Sequence, residues 1–535
     1  MGGGSSINPV ESTLSQLAQA DYSQNTSFWN DLLNSYSNFP DSIQWYPSTL
    51  HQIAQKYPSN MVKLITFCNT FIENLRMTDP SKITKSTFDQ LCLTCQIFTS
   101  SCSVILTSQG YSSLITTIRP QISIFQNGLP KCLCIAHLTG LSEEGQNIMQ
   151  EGFIKARYDI IHALLCTINL NYFTRFIENP PFLEISLPEF PANIFFKMSC
   201  ELKDINPDHY SLFKNCIALS AKLQPNITEA ISAIDSNILQ KFFIESHIDQ
   251  YFLTFLFQCL LNNKKSVKKL IKENKTNILI FKILNFAQLK LEAVGISFMH
   301  TLSACSIQLI LEEPEAVTLL NQNFALEFTS KFQPQQGTFA DVLIEVLFGI
   351  CNSNSLIPTF SEIFKLIAPR VTQLSVFCSM KIIDVFQLIQ TMNFDQKIYA
   401  TEQLMEAFAI ILQRREGNEY FRMIMAQRTA TFQFMNKLKS VKSSAIEIIQ
   451  KYLAVVRGII LKMNSKKVDL SEINSSILSV DVESIFPKVV HFDVNPFSLS
   501  GRIEGSWTEW CEVLFLQCFK AEFDVIKQYD ASSSK

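Results

Sequence analysis

Cys92 and Cys95 form a Cys-x-x-Cys, and Cys132, Cys134 and His137 follow downstream. Thiolate and imidazole ligands in such groups can hold a tetrahedral zinc ion. Both groups, however, fall inside apolar helical patterns, where cysteines three residues apart share a buried face. A thioredoxin-like reading needs a βαβ setting that the pattern does not supply. We read them as buried core thiols, in keeping with the high burial of free cysteine. The seven histidines are dispersed, with no His-Glu-x-x-His, no Gly-x-Ser-x-Gly and no glycine-rich phosphate loop. Glu312 and Glu313 stand just before Pro314, where a solvated helix end accounts for a carboxylate pair. No catalytic, metal or cofactor-binding residue is expected, and the chain is read as non-enzymatic.

A different chemistry begins at Gly2. The opening Met-Gly-Gly-Gly-Ser-Ser puts a glycine behind a removable methionine and a serine at position 6, the spacing that N-myristoyltransferases read. A flexible linker or a cloning remnant has the same composition, and that alternative stays open. One myristoyl chain contributes about 0.8 kcal/mol per buried methylene and gives only reversible binding, so a stable anchor needs a second element. None lies beside Gly2: the first lysine is Lys56 and the first cysteine Cys68.

The candidate second element is Lys264, Lys265, Lys268, Lys269, Lys272 and Lys275, within KKSVKKLIKENK. Most of these share one face of a helix, a candidate anionic-lipid contact in which each lysine near the surface contributes about 1 kcal/mol. The alternative is a solvated face neutralised by acidic neighbours in space. A second basic stretch, with Lys437, Lys439, Lys442, Lys451, Arg457, Lys462, Lys466 and Lys467, is more spread out and reads as ordinary solubility. Neither is interleaved with stacking aromatics as in a nucleic-acid binder.

The elements that must position these groups are helices. The 535 residues are 47% hydrophobic with 43 Phe, 15 Gly and 19 Pro, and the apolar residues recur at three- and four-residue steps with few turn signals. A net charge of -3 with 17% charged residues excludes a global field for nucleic acid or anionic membrane. Fifteen cysteines scattered through helical segments without a secretory h-region point to a reducing cytosol. The most apolar run, 251–261, is too short to cross a bilayer.

Residues 1–26 are Ser/Asn/Gln-rich, so a flexible, lipidated tail is expected there, with order beginning near Phe28. From 27 to 535 some twenty helical segments are predicted, separated by short breaks. Leu64, Ile65, Cys68, Phe71, Ile72 and Leu75 form one stripe; Val371, Leu374, Phe377, Cys378 and Ile382 form another, in a helix predicted over 371–391. Helix pairs of this size without a diagnostic consensus suggest an all-α, HEAT/armadillo-like solenoid, one continuous body whose pairs must stack to bury their apolar faces. Two interruptions are expected: a proline-rich crossing loop at 179–191 and a polar, partly extended stretch at 464–505, before a last amphipathic segment at 507–529.

Particular residues resemble a known family. FWNDLLNSYSNF at 28–39 and WYPSTLHQIAQKYPSNMVKL at 45–64 are similar to the amino-terminal region of the high-temperature-induced dauer formation proteins, relatives of dymeclin. The resemblance resumes over about 247–438, including GTFADVLIEVLFGI at 337–350 and FRMIMAQRTATFQFMNKL at 421–438. It reappears at WTEWCEVLFLQCFK, 507–520. The chain departs from the animal members in lacking a long charged, Ser/Pro-rich insertion before the final segment. The resemblance implies a myristoylated, peripheral Golgi or trans-Golgi protein that works with trafficking proteins to sort cargo into secretory or endosomal carriers. The rival expectation is a soluble helical-repeat adaptor, karyopherin-like or otherwise cargo-binding, without a lipid.

Overall fold

The computed structural model describes residues 9–34, 47–79, 82–107, 112–133, 135–140, 151–174, 236–335, 337–350, 356–392, 396–414, 417–432, 443–466, 468–494 and 496–497, with isolated positions in 214–234 and 506–517. Gly2 and the expected loop at 179–191 lie outside the described residues. The described residues are all-helical apart from turns, extended connections and one isolated bridge between Asn323 and Thr338. The chain divides into two compact units, Met1–Ile234 with Thr508–Lys535 and Asp235–Trp507, where one continuous body is expected from sequence.

The first unit starts earlier than its composition suggests. Helix α1 (Pro9–Leu17) occupies what is expected to be mobile tail. Leu14, Leu17 and Ala18 are buried, and their three- and four-residue spacing makes one apolar stripe on an otherwise polar helix. Asn60 fastens the end of that helix: its Nδ2 donates to the carbonyls of Leu17 (2.8 Å) and Ala20 (2.7 Å), and its Oδ1 accepts from Tyr22 N–H at 2.8 Å. Trp29, on α2 (Thr26–Asn34), donates from Nε1 to the Tyr22 carbonyl at 2.9 Å. The expected flexible tail of 1–26 is therefore corrected over 9–26. A buried amide that closes three backbone hydrogen bonds outweighs the entropy that a serine- and glutamine-rich segment gains by staying free.

Next come α3 (Pro47–Lys56), α4 (Pro58–Met77), α5 (Lys85–Thr107), α6 (Ser112–Leu133), α7 (Ala136–Thr139) and α8 (Glu151–Thr174). Pro58 opens α4 at its first turn, where the missing N–H costs nothing. In α4 the expected stripe is buried at Leu64, Ile65, Cys68, Ile72 and Leu75, with Phe71 only half-buried. Helices stack with the next but one: α3 on α5, α4 on α6, and α5 and α6 both on α8.

The second unit repeats this logic over a longer span. It holds α9 (Ser236–Glu245), α10 (Gln250–Asn262), α11 (Lys264–Lys272), α12 (Thr276–Val294), α13 (Phe298–Leu311), α14 (Pro314–Leu319), α15 (Phe339–Ile350) and α16 (Ile357–Ile367). Then follow α17 (Val376–Thr391), α18 (Lys397–Leu412), α19 (Glu419–Gln427), α20 (Ser443–Ser465), α21 (Leu470–Leu478) and α22 (Val482–Ile485). Two rows emerge: α10, α13, α16, α18 and α20 stack in one, and α12, α15, α17, α19 and α21 in the other. This arrangement is compatible with a helical solenoid.

Caps set the breaks. Asp249 accepts from Phe252 N–H at 2.8 Å to start α10, and Ser375 accepts from Cys378 N–H to start α17, so the helix predicted from 371 begins at Val376 instead. Gly417, at φ +82°, lies so close to Thr372 that a Cβ would stand 2.5 Å from its carbonyl oxygen. The stretch 464–505, expected to be polar and partly extended, also holds two short helices: Asp469 and Asp481 cap α21 and α22 there. Extended chain begins only past Phe486, where the Gln413 side chain pairs with Val490 as a neighbouring strand would: Val490 N–H donates to Oε1 (2.7 Å) and Nε2 donates to the Val490 carbonyl (3.2 Å).

Candidate functional site

The cysteine group resolves into core. Cys92, Cys95 and Cys132 are buried between α5, α6 and α8, and burial, with Asp159 nearby as a secondary cause, pushes the Cys92 and Cys95 thiols well above their ordinary pKa. A thiol so placed is a poor nucleophile and a poor ligand, because its thiolate is disfavoured. His137 is separated from them, exposed and lining a depression of about 340 Å³ with Lys85 and Phe88. Cys134 lies outside the described residues. Among the described residues, no three histidine, cysteine or acidic side chains converge as metal ligands. Asp159 itself is buried on α8 and accepts from Gln96 Nε2 at 3.2 Å; burial pushes its carboxyl up to about 7.

The lysine cluster occupies α11 and the turn after it. Asn263 ends α10 and caps α11, accepting from Ser266 N–H at 3.3 Å, while Val267 and Leu270 bury the inner face. The lysines therefore point outward, but they meet carboxylates. Lys264 pairs with Glu312 at 3.2 Å and Lys268 with Glu313 at 3.9 Å, both on the end of α13. Glu273 pairs with Lys275 at 2.8 Å and Lys269 at 3.8 Å, and the hydrogen bond from Lys275 is the main reason its carboxyl sits below the ordinary glutamate range. Glu312 is further held by the Phe497 backbone N–H. Among the described residues, Lys265 and Lys272 remain exposed without a carboxylate partner.

Beside α11, Lys264, Glu312, Glu313, Arg370, Val494 and Pro496 line a groove of about 420 Å³. It mixes both signs of charge with apolar walls. Such a lining can seat a polar loop better than a phosphate, since its two carboxylates oppose an anion.

Sequence patterning did not reveal the buried ionic network between α16 and α18. Lys365 and Glu406 form an ion pair with both residues buried; one turn away Glu362 accepts from Gln308 Nε2 at 2.8 Å and from the Tyr399 hydroxyl. The only sequence signal was charge on an otherwise apolar helical stripe. That network ties three members of one row, α13, α16 and α18, at a depth where an unpaired charge would cost several kcal/mol.

Among the described residues, no helix is long and apolar enough to cross a membrane. No family model matches the chain, and no curated protein matches it. Among solved structures, the crystal structure of an engineered protein from the Northeast Structural Genomics Consortium is similar at 11% identity with a TM-score of 0.36, over 95% of this chain and 99% of that one. At that level the likeness carries no argument.

Proposed function

We propose that this chain is a non-enzymatic peripheral membrane scaffold in Golgi or trans-Golgi vesicle trafficking, a HEAT/armadillo-like stack anchored reversibly by myristoylation of Gly2. The observation that carries the reading is the myristoylation spacing at Gly2 just ahead of a docked helix, α1. The chain between Gly2 and Pro9 can reach at most about 25 Å at ~3.5 Å per residue. An inserted lipid would therefore hold the first unit close against a bilayer rather than on a long leash. Support also comes from the family resemblance of the segments around Trp29 and Pro58.

One observation favours the second reading, a soluble helical-repeat adaptor for protein cargo: the carboxylates paired with α11 weaken the expected second membrane signal. Labelling with an alkyne analogue of myristate separates the two. The scaffold reading expects label on the wild type and none on Gly2→Ala, together with a shift of Gly2→Ala from the membrane to the soluble fraction. Unlabelled wild type would leave the adaptor reading standing.

A further inference from the structure

Helix α20 is the last described helix of its row, and its outer side is unlike a terminal cap. Ala445, Ile448, Ile449, Tyr452, Leu453 and Val456 bury one stripe against the unit. Terminal helices of stacked-helix proteins keep a polar outer face for solubility. Here the outer face over 454–461 is apolar instead: Ala454 and Gly458 are exposed and Leu461 is 71% exposed. Among the described residues, nothing lies within 4 Å of where a Cβ on Gly458 would stand.

The charges around this strip are all of one sign. At 100° per residue, Ala454, Gly458 and Leu461 form the centre of the outer face, with Arg457 on one flank and Lys451 and Lys462 on the other. No acidic residue occurs between Glu447 and Asp469. Among the described residues, Arg457, Lys462 and Lys466 have no carboxylate within ion-pair reach, while Lys451 lies 5.8 Å from the Phe486 ring centroid. An exposed apolar strip flanked by cations is the pattern of a helix lying in the plane of an anionic bilayer, with aliphatic side chains inserted and lysines at headgroup level.

We infer that the carboxyl-terminal half of α20 is a membrane-contact surface for anionic lipid, entered by Leu461 and flanked by Arg457 on one side and Lys451 and Lys462 on the other. The inference rests on the peripheral-membrane reading and supplies its second element, which the α11 lysines provide only weakly. A bilayer is favoured over a peptide because the surface is a single protruding helix. A helical peptide needs a groove between two elements to receive its anchors; among the described residues no helix stacks beyond α20 to form a second wall, and the cations on both flanks match an anionic surface.

The test uses the full-length chain, with and without the myristoyl group, sedimented with phosphatidylcholine vesicles and with vesicles that also contain phosphatidylserine. Both forms should sediment with the anionic vesicles and be released by added salt. Leu461→Glu should weaken that binding about tenfold or more, because it removes the leucine that enters the bilayer and adds a repelled charge. Lys462→Glu should also weaken it, and it carries the test should Leu461→Glu lose its helical circular dichroism. Undiminished sedimentation of a folded variant overturns the inference while leaving the scaffold reading intact. Failure of the myristoylated wild type on every vesicle overturns both. A dimer that Leu461→Glu dissociates, with no vesicle binding, assigns the face to a second copy and overturns the lipid assignment.

Discussion

The two basic surfaces of the second unit, on α11 and on α20, differ in the opposite sense from their sequences. KKSVKKLIKENK is the denser run, yet Glu273, Glu312 and Glu313 take up four of its six lysines. The α20 stretch is sparser and looks like ordinary solubility, yet its cations border an exposed apolar strip without carboxylate partners among the described residues. A count of lysines along the chain measures charge, whereas a membrane responds to the field left after neighbours are summed. It also responds to apolar area, which α11 hides on its inner face and α20 turns outward.

The largest effect should come from undermining the row that ends in α20. Lys365→Ala leaves Glu406 buried without its cation and should destabilise the second unit by about 3–5 kcal/mol. The midpoint in urea measures this, and hydrogen exchange should rise in α16, α18 and α20 more than in α11. Replacing both partners, Lys365→Met with Glu406→Leu, should recover most of the loss; failure to recover would mean that the pair specifies the packing.

Converting α11 into a surface like α20 is the next largest change. Glu312→Gln with Glu313→Gln frees Lys264 and Lys268 while keeping an acceptor for Phe497 N–H. Affinity for phosphatidylserine vesicles should rise about thirtyfold, at about 1 kcal/mol for each of the two released lysines. An unchanged affinity would show that charge without exposed apolar area is insufficient.

Acidification offers a smaller contrast. The Glu273 carboxyl, held below its ordinary range mainly by Lys275, contributes favourable pairing above the ordinary glutamate pKa and loses it as pH falls through its lowered value. Below that point Lys269 and Lys275 are released, so binding of α11 to a sulfated lipid, which stays anionic in acid, should increase. The α20 surface has no acid between Glu447 and Asp469, so its own contribution should not change through this range. Comparing Glu273→Gln with Leu461→Glu between pH 6 and 3 (from about 1.7 units above to about 1.3 units below the ordinary glutamate pKa of about 4.3) isolates each term.

The smallest effect is expected at Lys265 and Lys272. Changing both to alanine should alter stability by no more than about 0.5 kcal/mol, as for other exposed positions. Thermal melting checks this; a larger loss would reveal a structural role that α11 does not share with α20.

The helical class was legible because an apolar stripe at three- and four-residue spacing is local information. Leu64, Ile65, Cys68, Ile72 and Leu75 are buried as their spacing requires. The described cysteines were legible as core thiols for the same reason. The early start at α1 was also written in the chain, in Leu14, Leu17 and Ala18, but polar neighbours masked it, and its fastener Asn60 lies beyond two further helices. The capped helices within 464–505 carried a signal as well, Asp469 with Glu472 and Asp481 with Glu483, which the polar composition hid.

The sequence by itself determined the all-helical class, the burial of the described thiols and the lipidation spacing at Gly2, since each depends on residues a few positions apart. Only the tertiary structure decided which basic helix keeps its charge. Lys264 and Glu312 are 48 residues apart in the chain and 3.2 Å apart in space, and α20 is exposed because nothing among the described helices stacks beyond it. Pairing and exposure are set by neighbours that distant sequence delivers, so no local pattern encodes them.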